Sequence, residues 1–155
     1  MNENEGKFDN IVLIPCSGSE YHGELAHQVA IELAEKSEIS TLASMTCSTI
    51  FLKNVLLGKD QMVEITKNHL KHSFLIMING CKTACATQIY NHLGIRPDLI
   101  VSVQDMVPKQ RMNLNDLNTF KKTPKLSEIK EKDKNKVKEH ILKKLKELGL
   151  NTSSG

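Results

Sequence analysis

The strongest strand pattern in this sequence is the apolar run Phe74-Leu75-Ile76-Met77-Ile78, which Asn79-Gly80-Cys81 follows directly. An unbroken run of this length predicts a strand that is buried on both faces, as in a parallel sheet covered by helices. A second run of the same kind, Asn10-Ile11-Val12-Leu13-Ile14-Pro15, ends one residue before Cys16. We therefore expect both strands to belong to one parallel sheet.

Helical patterns alternate with strand patterns along the rest of the chain. We expect strands at 10–15, 39–46, 74–78 and 99–103, and helices at 22–36, 49–57, 60–69, 82–93 and 126–148. This alternation predicts an α/β fold with three layers and a mostly parallel, four-stranded, flavodoxin/Rossmann-like sheet in the order 2-1-3-4. Residues 104–125 indicate only a loop with a short helix, and the last helix forms a C-terminal extension.

The length and composition indicate one soluble domain. The chain has 155 residues, of which 39% are apolar and 25% charged, so we expect a single domain over 1–150 and a disordered tail at 151–155. Aromatic residues make up 4% and there is no Trp, which argues against a surface that stacks nucleic-acid bases. No apolar run is long enough to span a bilayer, and the N-terminus lacks a signal-peptide pattern. The expected location is the cytoplasm.

Positive charge is concentrated near the C-terminus. Residues 121–150 contain 11 Lys against five acidic residues, whereas the whole chain has a net charge of +3. Glu and Lys alternate along this stretch without accompanying Arg or aromatic residues, so a solvated helix face is favoured over a nucleic-acid surface. The apolar stripe Val137, Ile141, Leu145 and Leu148 should attach this helix to the body of the domain.

The four cysteines are the candidate ligands of a metal site. Cys16, Cys47 and Cys81 follow the first three strands, so all three should lie at the carboxyl edge of the sheet, where α/β proteins bind ligands. Cys85, one helical turn beyond Cys81, should face the same way. Four thiolates suit a tetrahedral Zn²⁺ ion or an iron–sulfur cluster. The simpler alternative is that each cysteine is a small buried hydrophobic residue.

Other cysteine chemistries fit the sequence less well. A phosphatase loop of the Cys-x5-Arg type needs Arg six residues after the cysteine, but positions 22, 53 and 87 are His, Lys and Thr. A thioredoxin-type site needs Cys-x-x-Cys, and the spacing from Cys81 to Cys85 is one residue longer. Phosphate-loop and dinucleotide-binding glycine motifs do not occur. Metal-free thiol redox chemistry remains the alternative to metal binding.

These elements together resemble a known family. The segments Cys16-Ser17-Gly18-Ser19, Cys47 and Asn79-Gly80-Cys81-Lys82-Thr83-Ala84-Cys85-Ala86 are similar to those of the DGC-domain family, whose members are proposed to bind zinc. The resemblance covers residues 10–104 and implies that the four cysteines are metal ligands. Asn79 stands where the family has Asp, so any role of that carboxylate in catalysis is absent here.

Residues next to the cysteines complete the expected site. Ser17, Ser19, Asn79 and Gly80 are expected around the ligands, with hydrogen bonds to sulfur from side-chain or backbone donors. His22 and His27 are candidate bases or replacement ligands, although surface or capping positions are the simpler interpretation.

The sequence as a whole predicts a zinc protein with a structural, sensing or metal/sulfur carrier role. Four thiolates fill the coordination of Zn²⁺, so catalysis is not the preferred interpretation. The alternative is an iron–sulfur or thiol redox protein that uses the same cysteines. Besides the metal ion we expect a protein partner, with a homodimer left open, and neither a membrane nor nucleic acid.

Overall fold

A computed structural model of the chain describes residues 8, 10–16, 21–36, 40–42, 56–58, 61–108 and 128–150. Its strands are β1 (Asn10–Pro15), β2 (Ser40–Leu42), β3 (Ser73–Asn79) and β4 (Leu99–Ser102). Its helices are α1 (Tyr21–Lys36), α2 (Gln61–Leu70), α3 (Cys85–His92), α4 (Val103–Met106) and α5 (Glu131–Glu147). The expected strand residues 43–46, most of the expected helix 49–57 and the tail 151–155 lie outside the described residues.

All strand pairs in the sheet are parallel. β1 and β3 pair over six residues, from Asn10 opposite Ser73 to Pro15 opposite Ile78, and β4 pairs with the end of β3. The three-residue β2 pairs with the other side of β1, so that the order is β2-β1-β3-β4. All seven residues of β3 are buried, as the unbroken apolar run requires. The prediction of an α/β protein with a parallel sheet is confirmed.

Alternate residues of the central strands enter two separate apolar cores. Ile11, Leu13, Ile76 and Ile78 pack with α1 and α5 on one face of the sheet. Val12, Ile14, Leu75 and Met77 pack with α3 on the other face. Because successive strand side chains point to opposite faces, a strand that is buried on both faces is apolar along its central run. No helix among the described residues has the length and hydrophobicity needed to cross a membrane.

Helix α5 docks through three of the four predicted apolar positions. Val137, Ile141 and Leu145 are at most 3% exposed, whereas Leu148 is 44% exposed. The prediction for Leu148 is wrong because the helix ends at Glu147. Gly149 has φ of 75°, and the Leu150 N–H bonds the Leu145 carbonyl, which turns the chain away from the helix axis.

The Tyr21 hydroxyl forms hydrogen bonds at the N-terminus of α5, which lies more than 100 residues later in the sequence. The hydroxyl donates to Asp133 Oδ2 at 2.6 Å and accepts the Lys130 N–H at 3.1 Å. Lys130 offers no side-chain cap of its own, so Tyr21 satisfies one of the free N–H groups at this helix end. Burial and the hydrogen bond to Asp133 raise the pKa of Tyr21.

Glu32 joins α1 to α5 through two lysines. Lys134 Nζ donates to Glu32 Oε1 at 2.7 Å, and Lys138 Nζ donates to Glu32 Oε2. Hydrogen bonds from both lysines lower the pKa of Glu32, and hydrogen bonds to Glu131 and Glu32 raise the pKa of Lys134. The expectation of a solvated helix face is therefore wrong for these two lysines, which hold the helix against the body.

Candidate functional site

The site begins where β1 ends beside β3. Cys16 is the residue after β1, and its N–H donates to the Ile78 carbonyl oxygen at 2.8 Å. This bond continues the register in which Pro15 lies opposite Ile78. The Cys16 backbone is therefore fixed beside the last residues of β3, immediately before the Asn79-Gly80-Cys81 segment. The half-buried Cys16 is placed at the carboxyl edge of the sheet, as its position in the sequence predicts.

Gly80 allows the segment after β3 to touch the first turn of α1. A Cβ at position 80 would lie 2.8 Å from the Gly23 backbone nitrogen and 2.9 Å from the Gly23 Cα. Such distances do not occur for real side chains, so only glycine fits this contact between two backbones. Cys81 consequently follows a segment packed against the start of α1.

Cys81 and Cys85 are joined by a turn, not by a helix. The Ala84 N–H bonds the Cys81 carbonyl at 3.1 Å, Ala84 has φ of 50°, and α3 begins at Cys85. The expectation of a helix from residue 82 is wrong because the left-handed Ala84 interrupts helical geometry. Cys81 therefore precedes the helix, and the one-turn argument for its alignment with Cys85 does not apply. The geometry of this turn therefore determines the distance and the relative orientation of the Cys81 and Cys85 thiols.

The three cysteines that the structure describes differ in exposure, and they do not enclose a common centre. Cys16 and Cys81 are half-buried, Cys85 is exposed, and no disulfide links these three cysteines to one another. Within the described parts of the chain, no three His, Cys, Asp or Glu side chains lie close enough together to hold a metal ion. Cys47, Ser17 and Ser19 lie outside the described residues. The structure thus brings three cysteine-bearing segments to one edge without closing them into a ligand set.

Asn79 forms a buried polar contact beneath this edge. It is 2% exposed, and its Nδ2 donates to Thr87 Oγ1 in the first turn of α3 at 2.7 Å. Its Oδ1 and the hydroxyl of Ser102, which lies opposite it in the register of β3 and β4, are buried and have no hydrogen-bond partner among the described residues. Asn79 therefore anchors the start of α3, and the hydrogen bond to ligand sulfur expected from the sequence stays a prediction.

His22 is a buried anchor of the segment that follows β4. It is 5% exposed, its Nε2 lies 2.7 Å from the Val107 carbonyl oxygen, and its ring meets Tyr21 edge-on. The expectation of a surface or capping histidine is wrong, while His27 is half-buried in α1. Since Val107 is 85 residues away, no local sequence signal reveals this contact.

A comparison with family models identifies the class to which this α/β fold and its cysteine-bearing edge belong. The model of the DGC domain matches residues 12–141, from β1 into α5. The chain therefore belongs to the DGC-domain family, as the sequence motifs indicate. The match extends beyond the 10–104 region that carries those motifs and includes most of the lysine-rich helix. Neither the curated proteins nor the solved structures gave a match.

Proposed function

We propose that this DGC-domain protein binds a zinc ion with the thiolates of Cys16, Cys47, Cys81 and Cys85. The observation that carries the proposal is the bond from the Cys16 N–H to the Ile78 carbonyl oxygen, which fixes Cys16 beside the segment leading to Cys81. Thiolate sulfur is a preferred ligand of Zn²⁺, and four thiolates complete a tetrahedral site. The donor chemistry at this edge therefore fits zinc.

The proposed site closes as the metal binds. Cys81 lies in a turn and Cys85 at an exposed helix start, so both side chains are accessible to an incoming ion. Cys16 lies on the more rigid side of the site because its backbone is bonded into the sheet. Binding energy then contributes to the stability of the fold, as it does in other structural metal sites.

The proposed role is structural, sensing, or carriage of metal or sulfur. A bound zinc ion with four thiolates has no open coordination position at which water could be activated. Asn79 cannot serve as a general base, and the Nε2 atom of His22 already contacts Val107. The residues at this edge therefore supply ligands and hydrogen bonds to the site instead of proton transfer.

The second candidate function uses the same thiols without zinc. Cys81 and Cys85 lie on either side of a single turn, which the Ala84 N–H bond to the Cys81 carbonyl closes at 3.1 Å, so this pair is the candidate for thiol redox chemistry. An iron–sulfur cluster would also take thiolate ligands. Both alternatives predict a metal and sulfide content different from that of a zinc protein.

We extend the proposal to the layering and location of the protein. The strand order and the two apolar cores support a three-layer, flavodoxin/Rossmann-like arrangement with four strands. The proposed location is the cytoplasm, where cysteine thiols stay reduced and can bind a metal ion. The proposed partners are the metal ion and a protein, either a second copy of this chain or another.

The test is the replacement of each cysteine by serine in the full chain. Every variant should lose zinc, and its melting temperature should fall by more than about 5 °C because metal and fold are coupled. Thr83→Ser, an exposed change in the same turn, is the matched control and should keep both properties. Full zinc content in the Cys47→Ser protein would show that Cys47 is not a zinc ligand. Full zinc in all four variants would contradict the proposal.

A further inference from the structure

A cavity of about 430 Å³ lies at the amino end of β3, on the edge of the sheet away from the cysteines. Ser73 and Leu75 of β3 contribute to it, as do Ile95 and the α2 residue Leu70. Leu75 and Ile95 are buried, so part of the lining is apolar. Ligand cavities of this volume commonly accept small organic molecules.

Three cationic side chains line the same cavity. Lys67 comes from the last turn of α2, Lys71 from the residue after it, and Arg96 from the loop before β4. The Lys67 amino group lies 3.4 Å from the position that a Cβ would take at Gly94, which places this charge at the cavity wall.

Among the described residues that line the cavity, Asp98 is the acidic one, and its carboxylate is already hydrogen-bonded to β3. Its Oδ2 accepts the Leu75 N–H at 2.9 Å, and its own N–H donates to the Leu75 carbonyl at 2.9 Å. This pair of bonds holds Asp98 against β3. The carboxylate therefore continues the sheet, and it does not face the lysines as an ion-pair partner within the described residues.

Few negative groups in the described part of the chain compensate these three cations. Lys67 pairs with Glu64 at 3.3 Å, but both side chains are exposed enough that such a pair contributes little. In the described part of the chain, Lys71 and Arg96 form no ion pair. Among the described residues, the cavity lining therefore carries more positive than negative charge.

The nearest helix end does not require these cations as caps. The N–H groups of Leu93, Gly94 and Ile95 bond the carbonyls of Ile89, Asn91 and Tyr90 and close the end of α3. Gly94 has φ of 73°, as the residue that ends a helix in this way usually does. The end of α3 therefore does not occupy the positive side chains at the cavity.

We propose that this cavity binds a small organic anion. Its phosphate or carboxylate group contacts Lys71 and Arg96, whose guanidinium can donate two parallel hydrogen bonds to such a group. Its apolar part covers Leu75 and Ile95. This site is separate from the proposed zinc site, so either can fail without the other.

The test is a titration of the isotope-labelled full chain with phenyl phosphate, benzoate and the neutral benzyl alcohol, followed by backbone amide chemical shifts. The two anions should cause saturable shifts at Leu75, Ile95 and Asp98, and benzyl alcohol should bind at least about tenfold more weakly. Tighter binding of phenyl phosphate than of benzoate would identify phosphate as the preferred group, and the reverse would identify carboxylate.

The Lys71→Gln/Arg96→Gln protein should bind both anions at least about tenfold more weakly. The control is Lys132→Gln/Lys136→Gln, which removes the same charge from exposed positions of α5 and should bind as the wild type does. Three results would overturn the proposal: no saturable shift below about 10 mM, equal binding of benzyl alcohol, or equal weakening in the control. If the double variant does not fold, the comparison of the two anions with benzyl alcohol on the wild-type protein still tests the proposal.

Discussion

At the scale of single residues, Gly80 and Ala84 show how backbone geometry determines the positions of the thiols. Gly80 permits a backbone contact with Gly23, and Ala84 occupies a conformation that glycine adopts more readily. Adding a side chain at Gly80 should destabilise the protein because there is no space for it. Removing the side chain of Ala84 should relieve strain in the backbone.

Gly80→Ala should therefore destabilise the protein by about 1–3 kcal/mol, the usual cost of forcing an atom into a packed region. Its added Cβ would meet backbone atoms of Gly23, which cannot rotate away. Metal content should fall as well, since Cys81 is the next residue. Denaturant unfolding measures the first effect, and Ala84→Gly in the same turn should leave stability unchanged or slightly higher. Equal losses in both variants would contradict this account.

Asn79→Asp tests the electrostatic environment of the proposed zinc site. A carboxylate adds negative charge beside a zinc tetrathiolate whose net charge is already negative, so metal release should accelerate. Because position 79 is 2% exposed, the charged side chain should also lower the free energy of unfolding. A change of about 1.4 kcal/mol corresponds to about tenfold faster release to a chelator at neutral pH. Thr87→Ser keeps the hydroxyl that Asn79 contacts and should release metal at the wild-type rate. Slower release from the Asp form would indicate a direct role for the carboxylate.

At the scale of secondary-structure elements, the attachment of α5 to α1 combines an apolar stripe with a charged contact. Val137, Ile141 and Leu145 supply the buried surface. Beside them, the Glu32 carboxylate accepts hydrogen bonds from Lys134 and Lys138. The lysine-rich composition alone suggested a solvated face. The composition could not show which lysines pair with a carboxylate, because Glu32 is more than 100 residues away along the chain.

Glu32→Gln should lower the free energy of unfolding by about 1–2 kcal/mol at neutral pH. The lysines hold the folded-state pKa of Glu32 below its unfolded value, so this stabilisation is present above about pH 4.3 and is lost as the pH falls through the folded pKa. The difference between wild type and variant should therefore shrink in acid. Glu35→Gln, an exposed change on the same helix, should have little effect at any pH. A pH-independent difference would contradict the charged contact.

At the scale of the whole molecule, local patterns predict the sheet, and long-range contacts determine the site. The apolar run 74–78 is sufficient to predict a doubly buried strand, and Cys16 and Cys81 fall at the ends of paired strands as expected. The turn from Cys81 to Cys85 escapes prediction because a non-glycine residue in the left-handed region has no sequence signature. The His22 contact with Val107 escapes it because only the folded chain brings these residues together.

The most direct test of the central claim is the metal and sulfide content of the full chain purified without air. We expect one zinc ion per chain, no acid-labile sulfide and four thiols that become reactive only after chelation. Iron with sulfide, or a metal-free protein with an oxidised cysteine pair, would contradict zinc binding by these four cysteines.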